Sequence, residues 1–274
     1  MTENIAHYLS PLIFPLFPAD AGTLYLDYDL GHVLRVRGGG GFTGRLTVSI
    51  RQYADGECLD EDSWSVDVAD NVVADPLMRC QLAGDRLGYV EIHIEADAPA
   101  FRKILSPPGY ALLRTPSGSA VIVVADQKYA NPRVIDEIRG TGKFCMVHTA
   151  AFVDPQAGLG NSLLLINPYE QALTARIHGE EGRKMSQRVA SRSSVLVSLE
   201  AVLTPGRWGS YMVTGNNRVV TYDLRHAYGR PSALTSMDHL DVFSGMRTHR
   251  QDGAVDWARS AARRFLREHG IRYT

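Results

Sequence analysis

The feature that most constrains this chain is a series of short segments in which apolar and polar residues alternate, separated by clusters of Gly, Pro, Asp and Asn. Segments 23–28, 32–37, 45–53, 63–68 and 88–95 have this form. Within 45–53, Leu46, Val48 and Ile50 take every second position, with Thr47 and Ser49 between them. Side chains of an extended strand point alternately to its two faces, so this spacing makes one apolar and one polar face. Glu91-Ile-His-Ile-Glu95 alternates in the same way. The second half continues with 161–166, 172–178, 195–199, 208–214 and 218–224. Gly215-Asn216-Asn217 lies between the last two, and these residue types tolerate the positive φ of a tight turn. An antiparallel hairpin is therefore expected there.

The two halves align with each other. Residues 45–51 match 172–178, 65–69 match 186–190, Leu82 matches Leu203, and 88–92 match 209–213. The offset is 127 at Leu46/Leu173 and 121 from Ser65/Ser186 onward, which predicts a longer hairpin loop around 55–62 in the first copy. The expected fold is mostly β: two tandem Ig-like antiparallel β-sandwich domains with a C-terminal α-helix. The expected divisions are an extended Pro-rich arm over 1–20, a first sandwich over 21–125, a connector over 126–142, a second sandwich over 143–235, and an extension over 236–274. That extension carries the expected helix, 253–269. Trp257, Ala258, Ala261, Ala262, Phe265 and Leu266 recur there at helical spacing, with Arg259, Arg263, Arg264 and Arg267 on the other face. Asp252 is placed to cap this helix and Gly270 to end it.

The chain has 274 residues, is 45% hydrophobic and carries a formal net charge of −1. This composition excludes collagen, a disulfide scaffold and a multi-span membrane protein. The neutral total conceals an asymmetry. Residues 1–115 hold 9 Lys and Arg against 16 Asp and Glu, and residues 116–274 hold 20 against 14. Opposite signs favour attraction between the halves or head-to-tail association of copies, and they argue against whole-surface binding of nucleic acid. The arginines of the terminal helix keep a local anionic contact open. Cys58, Cys80 and Cys145 show no CxxC spacing, so they form neither a disulfide framework nor a zinc site, and reduced thiols in a cytoplasmic protein are expected. The apolar run 8–17 contains Pro11 and Pro15, lacks a preceding Lys or Arg, and is too short to span a bilayer. It reads as an extended arm rather than a signal peptide.

No strong catalytic motif is present, and neither a cofactor nor a metal is implied. Gly39-Gly-Gly-Phe-Thr-Gly44 matches GxGxxG, but a strand pattern follows where a dinucleotide site needs a helix, so a hairpin loop is expected. Asp60-Glu61-Asp62 is placed in the longer first-copy loop as a solvated cluster. The candidate ligand residues are His148, Trp208, Tyr222, Arg225, His226 and Arg230 of the second copy and Asp238, His239 and Asp241 just after it. Arg225, His226 and Arg230 fall at the end of a strand, where sandwiches commonly place ligand contacts, and Trp208, Tyr222 and Tyr228 add aromatic surface. A histidine flanked by carboxylates suits a base oriented by Asp. No two of these histidines have the spacing that would define a metal pair.

Asn167-Pro168-Tyr169, Leu173-Thr-Ala-Arg-Ile177, Arg188-Val-Ala-Ser-Arg192, the strand 195–199 and the paired strands 208–224 follow one another in a recurring order. In this order the second copy resembles the small bacterial β-sandwich proteins of the sensory rhodopsin transducer type. The resemblance covers about 75 residues and implies a soluble, oligomer-forming, non-enzymatic sandwich with an interaction or ligand-binding role. The tandem arrangement and the C-terminal extension depart from that pattern, and no functional residue is carried over. The leading expectation is a non-catalytic binding or assembly protein, with a protein partner or a second copy and no membrane span. The alternative is an enzyme or a sugar- or phosphate-binding protein, with its pocket at the end of the second domain or between the domains.

Overall fold

The computed structural model describes residues 7–8, 12–18, 20, 22–29, 43–70, 72–73, 77–82, 84–96, 110–116, 118, 120–124, 126–127, 144–215 and 219–239. The first half contributes β1 (His7–Tyr8), β2 (Leu12–Leu16), β3 (Thr23–Asp29), β4 (Gly44–Ala54), β5 (Glu57–Ala69), β6 (Val72–Val73), β7 (Leu77–Leu82), β8 (Gly88–Ala96), β9 (Tyr110–Arg114), β10 (Ala120–Val124) and β11 (Asp126–Gln127). The second contributes β12 (Phe144–Val153), β13 (Leu159–Asn167), β14 (Leu173–His178), β15 (Lys184–Val189), β16 (Ser193–Ser198), β17 (Arg207–Gly215), β18 (Val220–Ala227) and β19 (Arg230–His239). Among the described residues the helical content is one 3-10 turn, Glu180–Gly182. The fold is mostly β. The expected helix 253–269, with Arg259, Arg263, Arg264 and Arg267, lies outside the described residues, as do Asp241 and the strand 32–37.

The strands form four antiparallel sheets, and no sheet mixes the two halves. Sheet I runs β11-β2-β8-β4-β5-β6, with β1 also on β8; sheet II runs β10-β9-β3-β7; sheet III runs β12-β17-β14-β15; sheet IV runs β16-β13-β18-β19. The strand order repeats. Sheet III has the order of β2-β8-β4-β5, and sheet IV read from β19 has the order of sheet II. The register repeats too: Ile50 faces Ile92 across β4 and β8, and Ile177 faces Val213 across β14 and β17. At the next ladder, Ile50 faces Asp62 and Ile177 faces Met185, so strand pairing shifts the equivalence by two residues from the match read in the sequence.

Two connections differ from expectation. The expected loop around 55–62 is a two-residue turn, with Asp55 at φ 49° and Gly56 at φ 90°, followed directly by β5. Asp-Gly in this conformation matches the right-handed twist of its flanking strands, so the extra residues lengthen the strands instead of the loop. No hairpin joins β17 to β18, because β17 belongs to sheet III and β18 to sheet IV. The chain crosses between sheets there, placing Val213 and Val219 in one core.

Sheet IV is buried on both faces. Leu163, Leu165 and Val197 join Ala175, Ile177, Tyr211 and Val213 of sheet III in one core. Leu164, Ile166, Val220, Tyr222 and Leu224 point the other way, into a core shared with Ile13, Tyr53 and Tyr89 of sheet I; Leu12, Phe14, Val48 and Ile92 on the other face of sheet I continue this core to Leu24 and Leu113 of sheet II. A strand covered on both sides needs a continuous apolar run, and Leu163-Leu-Leu-Ile166 supplies one. Sheet I meets sheet IV across the face that carries Tyr53 and Tyr89. These rings stack at 5.0 Å, and the Arg192 guanidinium lies 5.7 Å from the Tyr53 centroid. The Gly56 N–H donates to the Arg192 carbonyl at 3.1 Å, and the Tyr222 hydroxyl donates to the Ile13 carbonyl at 2.7 Å.

Candidate functional site

Tyr222, Arg225 and His226 lie on β18, where alternation sends them to different faces. Tyr222 and His226 face the core shared with the first half. His226 is 6% exposed, with Nδ1 2.9 Å from the Ala227 carbonyl and Nε2 2.8 Å from Ser162 Oγ. A carbonyl only accepts, so Nδ1 carries the proton and donates, and in the neutral ring Nε2 accepts from the Ser162 hydroxyl. The ring covers Gly160, where a Cβ would collide with it. A serine within hydrogen-bond reach of a histidine is the geometry of an activated nucleophile. Here Ser162 is only 4% exposed, so this geometry closes the strand pair and leaves Oγ unreachable to substrate.

On the opposite face a polar network surrounds Asp223, which is 2% exposed. The Asn161 amide donates to both carboxylate oxygens at 3.0 Å and to the Leu224 carbonyl at 3.1 Å. The Tyr211 hydroxyl donates to Oδ2 at 2.7 Å. Burial, and then the neighbouring Asp223 charge, push the Tyr211 phenol well above its ordinary range, so it remains a donor. Asn161 Oδ1 accepts the Phe152 N–H at 3.2 Å, and Arg225 Nη2 donates to the Ala150 carbonyl at 2.7 Å. These two bonds hold the irregularity in β12, where the register shifts between His148 and Ala151. Pattern reading missed Asn161, Tyr211 and Asp223. The available signal was a carboxylate inside the apolar run Val220-Thr-Tyr-Asp-Leu224, a position that a fold tolerates only with hydrogen-bond partners.

The remaining candidates are dispersed. Trp208 is 67% exposed on β17, against Phe152 at 5.0 Å between ring centroids, and the Arg225 guanidinium lies 6.0 Å from the Trp208 ring. These three form an exposed aromatic and cationic patch. Arg230 is exposed at the start of β19, opposite Ala227, and Asp238 is exposed opposite Asp223. His148 occupies a β12 position opposite Tyr211. His239 stands on β19 opposite Tyr222, in a strand where the sequence suggested a loop. Among the candidates whose side chains are described, Trp208 and Arg225 are brought together. No group of three His, Cys, Asp or Glu among the described residues is placed to hold a metal. No helix among them is long and apolar enough to cross a membrane.

A second candidate surface is the outer edge of sheet I. β5 pairs with β4 along its length and with β6 only at Val68 and Ala69. Over 57–67 its other edge has no strand partner among the described residues, and 57–63 are all exposed. Asp60, Glu61 and Asp62 lie in this strand rather than in a loop. Arg51 Nε donates to Glu61 at 2.8 Å, Arg45 Nε to Asp67 at 2.9 Å, and Gln52 to Asp60 at 3.2 Å. Asp62 has no cationic partner within 4 Å among the described residues, and it accepts the N–H of Ser63. The turn end of this hairpin is anchored to the second half through Gly56 and Tyr53, which holds the strand in place. Comparison of the chain with known protein families, with curated proteins and with solved structures finds no match.

Proposed function

We propose that this chain is a non-catalytic binding or assembly protein made of two related Ig-like β-sandwiches, and that it takes an extended partner strand along β5. The observation that carries this reading is the open edge over 57–67. A strand edge presents a row of N–H and C=O groups that another extended segment completes. An edge of this length is normally covered, shortened or bulged; this one has an irregularity at Leu59, where Gln52 faces Asp60 and Tyr53 faces Cys58, and from Asp60 to Asp67 it runs in regular register with cross-strand ion pairs. Its carboxylates select a basic partner. Hydrogen exchange on the full chain tests the reading, with an alternating Lys-Thr octapeptide at low salt as the probe. Protection of the amides over 57–67 is expected, with none from the Glu-Thr analogue. Absence of protection by the basic peptide refutes strand addition.

The exposed Trp208 beside Arg225 supports a second reading, a small-ligand surface for a sugar or phosphate group. Titration with inorganic phosphate and with glucose should quench tryptophan fluorescence in the wild type and not in Trp208→Ala. Equal responses in both proteins rule this patch out.

A further inference from the structure

Building on the strand-addition reading, we infer that the occupant of the β5 edge is the β15 edge of a second copy of this chain. β5 and β15 take the same place in the repeated strand order, each paired on one side with the strand before it. β15 closes sheet III and has no further strand partner among the described residues. Equivalent edges of two related sandwiches share twist and pleat, so they suit one another as ladder partners.

Their charges are opposite. Residues 57–67 contain five carboxylates and no Lys or Arg, and residues 183–192 contain four cations and no carboxylate. At the same ladder level, one residue before the position facing Ile50 or Ile177, stand Glu61 in β5 and Lys184 in β15. Arg183 and Arg192 are engaged with Glu181 and Glu170. Lys184 and Arg188 are exposed and have no carboxylate within 4 Å among the described residues, so their charge remains available. On β5, Glu57, Asp60 and Asp62 likewise have no cation within 4 Å among the described residues.

These signs choose the pairing. β5 against β5 sets carboxylates face to face, and β15 against β15 sets cations face to face; like charges directly across a ladder are destabilising. Only β5 against β15 joins opposite charges. Each chain offers one edge of each kind, so the contact is head to tail and propagates from copy to copy unless its rotation closes a ring. A six-residue strand such as β15 fits within the open length of β5. Exposed ion pairs contribute little individually and weaken with salt, so they set partner and direction while the backbone ladder supplies contact.

Sedimentation velocity on the full chain, over a range of concentrations at low and high salt, tests this. The wild type is expected to associate with concentration, less so at high salt. Lys184→Glu with Arg188→Glu makes both edges acidic, and Asp60→Lys with Asp62→Lys leaves residues 57–67 with two cations and three carboxylates in place of five carboxylates. Each doubly substituted chain alone should associate roughly a hundredfold more weakly. An equimolar mixture of the two should recover association, because the unaltered acidic β5 of the first variant then meets the unaltered basic β15 of the second. Recovery also shows that both variants are folded. A wild type that stays monomeric at every concentration, variants that associate as the wild type does, or a mixture that fails to recover each overturns the inference. If the chain stays monomeric while the Lys-Thr peptide still protects β5, the second-copy inference falls and strand addition stands. If neither occurs, both fall.

Discussion

The two halves share a strand order and differ in what covers their sheets. In the first half, β8 is buried on both faces over 88–92, and β3 alternates, with Leu24 and Leu26 buried and Thr23 and Tyr25 half-buried. In the second half the roles are exchanged. β13, the equivalent of β3, is buried from Gly160 to Asn167, and β17, the equivalent of β8, alternates. The reason is that sheet I of the first half packs on sheet IV of the second, and these are not equivalent sheets. Such front-to-back stacking of related units has no symmetry that ends it, so something must cap it. The outer face of sheet III, equivalent to the face by which sheet I meets sheet IV, carries Arg176, His178, Lys184 and Arg188. A polar outer face prevents a further layer, as the terminal units of repeat proteins do. That face closes growth through sheet III, and the assembly proposed above runs through strand edges instead.

The largest test of this comparison is Asp223→Ala. β18 carries this buried carboxylate, and its first-half equivalent β9 reads Tyr-Ala-Leu-Leu-Arg without one. Removing it strips Tyr211 and Asn161 of a buried acceptor, with an expected loss of about 3–5 kcal/mol in urea unfolding. A loss under about 1 kcal/mol, the value of an ordinary hydrogen bond, means that the network is not the buttress described. Next are Leu164→Ala and Leu165→Ala, neighbours on β13 that face different cores. Each should cost about 2–5 kcal/mol. Hydrogen exchange separates them: Leu164→Ala should loosen β8 of sheet I, and Leu165→Ala should loosen β14 and β17. If Leu164→Ala leaves β8 untouched, the stacked arrangement of the halves is refuted.

Tyr222→Phe removes the 2.7 Å bond to Ile13, and a loss of about 1 kcal/mol is expected. A change confined to sheets III and IV would argue against this link between the halves. The smallest effect concerns pH. Burial, with Arg176 and Lys184 nearby, lowers the His178 pKa below its ordinary value. The unfolded chain then binds the proton more readily, so stability contributed by neutral His178 is complete above its unfolded pKa and declines as pH falls toward the folded value. The decline should be shallower in His178→Gln. Equal slopes for the two proteins remove this contribution.

Much of the architecture was legible locally. Leu46, Val48 and Ile50 announce their strand, and Leu163-Leu-Leu-Ile166 has the continuous apolar character of a strand covered on both sides. Asp55-Gly56 is a two-residue hairpin signal, obscured because the acidic residues after it suggest a solvated loop. The charge of β5 accompanies its exposure at the sheet edge, where carboxylates stay hydrated. The candidate ligand residues were less legible. Tyr222 and His226 occupy positions of one parity on β18 and Asp223 and Arg225 the other, so a cluster that is continuous in the chain is divided by the pleat. Trp208 and Arg225, 17 positions apart, meet only because β17 and β18 lie in facing sheets.

By itself the sequence determined strand character, the repeated order of strands and the opposite charges of the two halves. Each follows from local quantities: a side-chain period of two, turn residues that accept positive φ, and the count of ionised groups along a segment. The tertiary structure alone decided that sheet I packs on sheet IV, that His226 and Asp223 serve the interior, and that β5 over 57–67 and β15 have no further strand partner among the described residues. Those outcomes depend on which faces meet across more than a hundred residues of chain, and a local pattern states that a face is apolar without stating what will cover it.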